Sequence, residues 1–389
     1  MGNHFDGVGG GDGMKTLLLA FDSFKGSLTS REVADAFEEG VRSVLPDCMV
    51  KKVCLADGGE GTAEALVSTL GGEWMEVEVA DPLMRPIRAR YGVVDDGRTA
   101  IIEMASASGL TLLKEEERTP LKTSTYGTGQ LIADALKRGC RKLLIGIGGS
   151  ATNDAGTGML SALGFRFLDA EGKSLDGCGE SLGRIVSIDS SCILPELKSV
   201  EICVACDVTN PFCGPQGAAH IFAPQKGADR QMVVQLDKGM HHFAEVIRQY
   251  NKVDVASLPG AGAAGGLGGA FSAFLGISLC RGVEMVLGAL HFDELLKGCD
   301  LVVTGEGRID RQTLMGKAPV GVLKAAIRQG IPVIAIGGSV EPCPELSQSG
   351  FSFILSINAE GLPLHLAMRP DLARENVRRM GEKVGMAIR

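Results

Sequence analysis

Short aliphatic segments near both ends of the chain restrict its fold more than any other feature of the sequence. Helical patterns follow most of these segments, which lie at positions 17–21, 50–55, 301–304, 332–336 and 351–357. Strands that are covered on both faces of a parallel sheet have this nearly continuous aliphatic character. The segments therefore predict an α/β fold in which both chain ends form a doubly wound parallel sheet. We assume the flavodoxin-like strand order 2-1-3-4-5 for it, because periodicity does not show the order.

Helix patterns near both ends of the chain support the prediction of this sheet. Thr29 and Glu32 have the spacing of a capping box, in which each side chain bonds the backbone N–H of the other residue. Apolar residues then recur at helical spacing at Val33, Phe37 and Val41. A second long pattern predicts a helix over positions 364–388.

Residues 56–300 separate the second aliphatic segment from the third and have a mixed character. Short strands are predicted at 87–94, 99–104, 143–147 and 200–206, and helices at 129–138, 231–249 and 267–275. Exposed loops tolerate such insertions. The sequence thus predicts two domains, with the active site in the cleft between them: a flavodoxin-like domain of residues 14–82 and 292–389, and an inserted second α/β domain of residues 83–291.

Composition excludes several kinds of partner. The formal net charge is −8, and lysine and arginine form no long cluster, so nucleic acid is not expected as a partner. No run of 18 apolar residues is present, so we expect no membrane span. The glycine-rich residues 1–13 are predicted to be a disordered tail. A homo-oligomer is compatible with all of these features.

The cysteines predict a reducing, cytoplasmic location. There are 11 of them, an odd number scattered along the chain, which is typical of free thiols in a cytosol-like compartment. Cys203 and Cys206 form a lone C-x-x-C in a predicted strand. Alternation of side chains along that strand would place them on opposite faces, which argues against a joint metal or redox role.

A glycine-rich loop at positions 145–158, IGIGGSATNDAGTG, indicates anion binding. Glycine lets backbone N–H groups approach an anion closely, and the following residues are compatible with a helix. The loop matches neither a P-loop, since no Lys-Ser or Lys-Thr follows, nor G-x-G-x-x-G. A tight strand-to-helix turn would explain it equally well.

Polar loops follow three of the predicted strands of the flavodoxin-like domain. The loop DSFKGS starts at Asp22, ADGGEGT contains Asp57, and a predicted loop at 305–317 contains GEGRID and Gly316–Lys317. In the strand order given above, loops 22–28 and 305–317 flank the switch point at which ligands bind. A hydroxyl nucleophile, a metal ion and a phosphate would suit this mixture of acids and bases.

The inserted domain has polar loops of its own. DVTNPF follows a predicted strand and supplies Asp207 and Asn210, and FAPQKGA forms a polar turn that includes Lys226. GAGAAGG at 260–266 is a second glycine-rich loop. It suits either a phosphate cradle or close helix packing.

Together these segments resemble the type-1 glycerate kinase family. The matching stretches run in order from about residue 15 to residue 322 and include FDSFKGSLTSREVA, ADGGEGT, EMASASGL, GTGQLI, IGIGGSATNDAGTGM, ACDVTNPFCGPQGAA, FAPQKGA, PGAGAAGGLGGA and TGEGRIDRQTLMGKAPVGV. The resemblance implies a kinase that phosphorylates D-glycerate, mainly at the 2-position, with ATP and Mg²⁺ as cofactors. It also implies the two-domain fold. Phe24 and Gly26 depart from the tyrosine and glutamate often found in the family.

The resemblance suggests roles for individual residues. Asp207 or Asp310 is expected to accept the hydroxyl proton, and Lys25, Arg308 and Lys317 to hold the glycerate carboxylate and the γ-phosphate. Asp57 and Glu306 are expected to organise Mg²⁺. Further substrate contacts are expected from Asp22, Ser23 and Asn210, and nucleotide contacts from the two glycine loops, at Gly148, Gly149, Ser150, Asn153, Asp154, Gly262 and Gly265.

Two other functions agree with parts of the sequence. An NAD-dependent oxidoreductase of a small hydroxy acid would suit the glycine loops, although no G-x-G-x-x-G follows the first strand and no acidic residue ends the second. A non-catalytic sensor of sugar acids would suit a pair of α/β lobes.

Overall fold

The computed structural model describes residues 14–59 and 61–389, so the predicted tail at residues 1–13 lies outside the described residues. The chain divides into two compact units. We call them unit 1, residues 14–57 and 286–389, and unit 2, residues 58–285. The predicted α/β fold class, with a doubly wound sheet from both chain ends and an inserted α/β domain, is confirmed.

The strands, in chain order, are β1 (Thr16–Phe21), β2 (Met49–Cys54), β3 (Glu73–Ala80), β4 (Pro86–Val94), β5 (Thr99–Glu103), β6 (Lys142–Gly146), β7 (Arg166–Leu168), β8 (Ser187–Asp189), β9 (Glu201–Ala205), β10 (Leu279–Cys280), β11 (Leu301–Ile309), β12 (Val333–Val340) and β13 (Phe353–Ser356).

The helices, in chain order, are α1 (Ser30–Val44), α2 (Thr62–Leu70), α3 (Ala105–Ser108), α4 (Tyr126–Lys137), α5 (Thr157–Ala162), α6 (Ala218–Phe222), α7 (Arg230–Asn251), α8 (Ala263–Leu275), α9 (Gly282–Ala289), α10 (Phe292–Leu295), α11 (Ala318–Arg328), α12 (Pro344–Ser347), α13 (Leu364–Ala367) and α14 (Pro370–Ile388). None of those within the described residues has the length and apolar character needed to cross a membrane.

Unit 1 contains a five-stranded parallel sheet with the order β13-β12-β11-β1-β2. Numbered within the unit, this order is 2-1-3-4-5, as assumed. Alternate residues of β1 face opposite sides of the sheet. Leu17, Leu19 and Phe21 join the apolar cluster that contains residues of α1 and α14, while α11 contacts β1, β11 and β12. Helices on both faces explain why the strands are aliphatic throughout.

Strand β11 is longer than predicted. It continues to Ile309, so that most of GEGRID belongs to a strand rather than to a loop. Its partner β12 is equally extended, with Arg308 opposite Ser339 and Ile309 opposite Val340. The two strands satisfy each other's backbone groups beyond the point at which the aliphatic pattern ends.

The predicted domain boundaries differ from the division into units. Residues 58–82, expected in the flavodoxin-like domain, belong to unit 2, and residues 286–291, expected in the inserted domain, belong to unit 1. The first difference arises from β3, a strand that the sequence pattern did not predict. It pairs antiparallel with β4 at one edge of the six-stranded sheet β10-β9-β6-β5-β4-β3 of unit 2. A separate two-stranded sheet joins β7 and β8.

Glycines allow α1 and α14 to pack closely. The predicted helix at 364–388 is divided into α13 and α14, because Pro370 starts α14 and cannot continue a preceding helix. A Cβ atom at Gly40 would lie 1.9 Å from the backbone oxygen of Arg378, and one at Gly381 would lie 2.2 Å from that of Phe37. The capping box of Thr29 and Glu32 is present at the start of α1, as predicted.

We expect Gly40→Ala to destabilise unit 1, because the added methyl group must push the α14 backbone away. Overpacking of this kind costs about 1–3 kcal/mol in the free energy of unfolding. Gly288→Ala is the matched control, since Gly288 is an exposed glycine in a helix of the same unit with open space around its Cβ position. There, alanine should leave stability unchanged or raise it by up to about 1 kcal/mol. Urea denaturation measures the free energy of unfolding of both variants, and hydrogen exchange measures the local stability of α1 and α14. Equal effects of the two substitutions would contradict the packing argument.

Candidate active site

In unit 1, parallel pairing collects acidic side chains at one edge of the sheet. Phe21, the last residue of β1, pairs with Gly305 of β11 on one side and with Cys54 of β2 on the other. Asp22 follows β1 directly, and its N–H donates to the backbone oxygen of Gly305 at 3.0 Å. Glu306 is the next residue of β11, and Asp57 follows β2. The sheet itself thus places these acids at its carboxyl edge.

Asp22 is the most strongly perturbed acid of this edge. Its side chain is buried, with a relative exposure of 5%. Burial, followed by the negative charge of Asp57, raises its pKa to about 6, although the N–H of Ser23 and the charge of Lys25 act in the opposite direction. The Ser23 N–H donates to Asp22 Oδ1 at 2.6 Å. A carboxylate with a pKa this close to neutrality has the properties of a general base.

Lys25 lies beside these acids on the loop after β1. Its Nζ is 3.2 Å from Asp57 Oδ2, and 71% of its side chain is exposed. Burial lowers the pKa of Lys25, but Asp57, Asp22 and Glu306 together outweigh that effect and raise it. Lys25 is thus a stable cation that remains open to solvent.

Glu306 is buried and has two partners. Thr313 Oγ1 donates to its Oε1 at 2.6 Å, and Lys317 Nζ lies 3.3 Å from its Oε2. Burial raises the pKa of Glu306, against the opposing effects of Thr313 and Lys317. The turn after β11 therefore brings a second cation, Lys317, to the same edge of the sheet.

Arg308 and Asp310 are engaged with each other. Arg308 Nε lies 3.1 Å from Asp310 Oδ2, and its guanidinium also pairs with Glu341. Asp310 Oδ1 accepts the N–H of Gln312 at 2.8 Å. Both oxygens of Asp310 thus have protein partners, which does not favour its predicted role as the base.

A cavity of about 650 Å³ lies within unit 1 beside Lys25. Phe24, Lys25 and Gly307 line one part of it, and residues 356–362 another. The segment NAEGLPLHLAM, from residue 358 to residue 368, contributes much of this lining. Cavities of this size commonly enclose ligands of the size of drug molecules.

In unit 2, the glycine-rich loop follows β6. Gly148 and Gly149 are exposed, and Gly149 has a φ of +73°, which favours glycine. Asn153 and Asp154 are completely buried. Asp154 accepts from the N–H groups of Thr125, Gly156 and Gly158 and from the Thr125 hydroxyl. Burial raises its pKa against these bonds.

These contacts do not favour two of the predictions for the loop. Asn153 and Asp154 were expected to contact a nucleotide, but their side chains face the protein interior. Asn153 Nδ2 lies 3.2 Å from Met240 Sδ. Asp154 holds the loop in shape through its bonds to Gly156 and Gly158, while Gly148 and Gly149 are exposed.

A lysine that the sequence analysis did not connect with this loop lies against it. Lys226 is buried, and its Nζ donates to Ser150 Oγ and to the backbone oxygen of Thr152, each at 2.7 Å. Burial lowers its pKa to about 7, with Asp154 acting in the opposite direction. The loop thus lacks a lysine in its own sequence but receives one from FAPQKGA.

The second glycine-rich loop packs on the first. The backbone oxygen of Gly265 accepts the N–H of Ala155 at 2.9 Å, and a Cβ atom at Gly265 would lie 2.1 Å from the backbone oxygen of Thr152. At Gly262, a Cβ atom would lie 2.2 Å from the backbone oxygen of Pro211. Packing between backbones accounts for both glycines, which does not favour their predicted contact with a nucleotide.

Asp207 and Asn210 stabilise the loop after β9. Asp207 is exposed, and its Oδ1 accepts the N–H of Gly282 at 3.1 Å. Asn210 Nδ2 donates to the backbone oxygen of Gln216, and the Asn210 backbone oxygen accepts the N–H of Gly262. Both side chains therefore support loop geometry within unit 2.

The acids of unit 1 have the oxygen donors that Mg²⁺ prefers. Mg²⁺ is commonly held by one or two carboxylates together with substrate phosphates and water. Asp22, Asp57 and Glu306 interact electrostatically, so negative charge accumulates at this edge. Among residues 14–59 and 61–389, no group of three or more His, Cys, Asp and Glu side chains is arranged to hold a metal by itself. An ion at this edge would therefore need a phosphate ligand in addition to the carboxylates.

Comparisons with known proteins all indicate one family. The model described as the glycerate kinase family matches residues 17–389. A glycerate kinase of Halalkalibacterium halodurans is 50% identical over 327 residues, 84% of this chain and 86% of that protein. A glycerate 2-kinase of Escherichia coli is 48% identical over 342 residues, covering 88% and 90%.

A solved structure agrees with these relatives. A chain from Salmonella typhimurium LT2, assigned as a glycerate kinase 2, superposes with a TM-score of 0.88. It is 45% identical, and the match covers 96% of this chain and 98% of that one.

We expect Asp22→Asn to stabilise the protein at neutral pH. The pKa of Asp22 is higher in the folded state, about 6 against 3.8, so the ionised carboxylate is disfavoured by folding and wild-type stability falls as pH rises through this range. At pH 7.5 the variant should be more stable by roughly 2–3 kcal/mol, and the difference should vanish below pH ~4. Denaturant unfolding between pH 3.5 and 8 measures this difference in the free energy of unfolding. Asp47→Asn, at an exposed position, is the control. A variant less stable than wild type at pH 7.5 would overturn this expectation.

Proposed function

Because the chain belongs to the glycerate kinase family and is a kinase, we propose that it transfers the γ-phosphate of ATP to D-glycerate. The observation that carries this proposal is the edge of the unit 1 sheet, where the buried Asp22 lies among Lys25, Asp57 and Glu306. Phosphoryl transfer needs charge neutralisation and a positioned nucleophile more than covalent chemistry. A base flanked by cations and acids meets those needs.

Asp22 is our candidate for the base. The sequence suggested Asp207 or Asp310, but both are engaged in loop structure, Asp207 with Gly282 and Asp310 with Arg308 and Gln312. Asp22 is ionised above its pKa of about 6. It can therefore accept the proton of a glycerate hydroxyl at neutral pH.

Lys25 and Lys317 are proposed to hold the anionic groups. Both ammonium groups have carboxylate partners, Asp57 and Glu306, so they already lie in a site that binds ions. A lysine acts on phosphate as a point charge and tolerates a change of partner. Arg308 is paired with both Asp310 and Glu341, and we assign it a weaker contribution.

Asp57 and Glu306 are proposed to hold Mg²⁺ together with the phosphates of ATP. When bound, the ion would neutralise negative charge on the transferring phosphoryl group. Lys25 and Lys317, which contact these carboxylates, would be released by the same event to hold the substrate anions.

In unit 2, Gly148 and Gly149 are proposed to approach the nucleotide phosphates through their backbone N–H groups, since both are exposed. Lys226 and Asp154 position the loop without touching the ligand, because both are buried. Ser150 connects the exposed glycines with the buried lysine, because it follows Gly149 and accepts a hydrogen bond from Lys226.

The proposed product is 2-phosphoglycerate. The support is the name of one relative, the glycerate 2-kinase of Escherichia coli. No observation on the structure favours a nicotinamide-dependent oxidoreductase or a non-catalytic sensor.

Incubation of the protein with ATP, Mg²⁺ and D-glycerate should yield ADP and one phosphoglycerate in equal amounts. Proton-coupled phosphorus NMR identifies the product, because an ester at C2 is split by one hydrogen and an ester at C3 by two. A doublet is expected. A triplet would overturn the proposed position of transfer, and ADP release without phosphoglycerate would overturn the proposed function. L-glycerate is the control for recognition of the stereocentre.

Asp22→Asn should lower kcat by about 10²–10⁴-fold, the usual contribution of a general base. Asp207→Asn and Asp310→Asn, the matched controls, should lower it by less than about 10-fold, since neither is proposed to move a proton. Wild-type kcat/KM should fall as pH drops below about 6, where Asp22 becomes protonated, and this acid limb should be absent in Asp22→Asn. Unfolding cannot explain a loss in a variant that is also more stable. A large loss in either control, with Asp22→Asn near normal, would assign the base elsewhere.

A further inference from the structure

Two cysteines of unit 2 lie in contact although they are 77 positions apart. Cys203 Sγ is 2.9 Å from Cys280 Sγ, and both are free thiols. Cys206, the other member of the C-x-x-C, does not share this contact, and its Sγ lies 3.2 Å from the backbone oxygen of Val208. The partner of Cys203 is therefore on another strand. We propose that Cys203 and Cys280 are a modification site at which a reversible disulfide forms.

The sheet places both thiols on one face. Strand β10 is at the edge of the six-stranded sheet and pairs in parallel with β9, with Cys280 opposite Ala205. Cys203 is two residues before Ala205, and residues two apart on a strand share a face. Both cysteines are half-buried. Because both thiols are partly exposed, a small disulfide reagent can reach the pair.

The two thiols differ in reactivity. The hydrogen bond with Cys280 lowers the pKa of Cys203, against the effect of burial, and Lys142 adds to the lowering. Glu201 and Glu284 oppose it. The same hydrogen bond, together with burial, raises the pKa of Cys280. Cys203 is thus the thiol that more readily becomes the nucleophilic thiolate.

The oxidant we name is a small-molecule disulfide. The Cys203 thiolate attacks one of its sulfurs, so that an S–S bond forms to Cys203 and the other sulfur leaves as a thiolate. Cys280, after losing its proton, then attacks the Cys203 sulfur and releases the second thiolate. The two protein thiols are oxidised, the reagent is reduced to two thiols, and the two protons pass to them.

The bond would restrain the loop that carries Asp207. The Cys206 N–H already donates to the backbone oxygen of Cys280 at 2.8 Å, and the Gly282 N–H donates to Asp207 Oδ1 at 3.1 Å. A covalent link from Cys203 to Cys280 would fix the same two segments together. Oxidation should therefore slow amide exchange at residues 206–210 and 281–283.

The test uses the intact, reduced protein and oxidised glutathione. We expect oxidised protein to lose the mass of two hydrogen atoms and to protect two thiols from alkylation, with peptide mapping locating the bond between Cys203 and Cys280. Dithiothreitol should reduce the disulfide and restore both thiols. Amide exchange at residues 206–210 should slow at least several-fold. These readouts need no kinase assay, so their failure and the failure of the proposed function are distinguishable.

Variants that lack one cysteine distinguish the thiol that attacks the reagent, Cys203, from the thiol that attacks the mixed disulfide, Cys280. Cys280→Ser should stop at a stable mixed disulfide of glutathione on Cys203, and Cys203→Ser should react at least ten-fold more slowly. Cys206→Ser is the matched control and should behave as wild type. A bond between Cys203 and Cys206, independent alkylation of Cys203 and Cys280 after oxidation, or equal reactivity of the two single variants would overturn the proposal. Wild type alone decides the first two outcomes, so loss of folding in a variant does not obscure them.

Discussion

The parallel pairing of β1 with β11 is the constraint on which the rest of unit 1 depends. It joins residues 17–21 to residues 301–305 and makes the central pair of the sheet from the two ends of the chain. Asp22 and Glu306 follow directly, so their proximity is fixed by backbone hydrogen bonds rather than by any attraction between them. Two buried acids repel each other, and folding tolerates this because the sheet supplies the stability. Burial at this edge, more than the charges of Asp57 and Glu306, raises the pKa of Asp22.

The parts of the molecule that the sequence predicted well are those set by local pattern. Aliphatic runs located the five strands of unit 1, and the spacing of Thr29 and Glu32 located the start of α1. Once a parallel sheet is inferred, the positions of Asp22 and Asp57 follow, because residues after parallel strands meet at one edge. The order of strands was an assumption, and only the structure confirmed it.

The remaining features depend on contacts that no local pattern encodes. Lys226 reaches Ser150 across 76 positions, and nothing in FAPQKGA signals that the lysine is buried. Asp154 looked like a ligand because it is polar and lies among glycines, yet its partners are backbone N–H groups of the protein. Gly265 looked like a phosphate contact but makes room for another backbone. In each case, composition indicated an unusual loop, and only packing showed its use.

The close packing of α1 against α14 at Gly40 and Gly381 affects the order in which unit 1 folds during synthesis. Phe37 and Val41 of α1 share an apolar cluster with Val377 and Val384 of α14. Because α14 begins only at Pro370, it cannot cover α1 until the intervening residues have been synthesised. The apolar face of α1 therefore stays uncovered during that synthesis, and the core of unit 1 is completed only when α14 is available. Nascent chains of this protein should be clients of chaperones that cover exposed apolar helices.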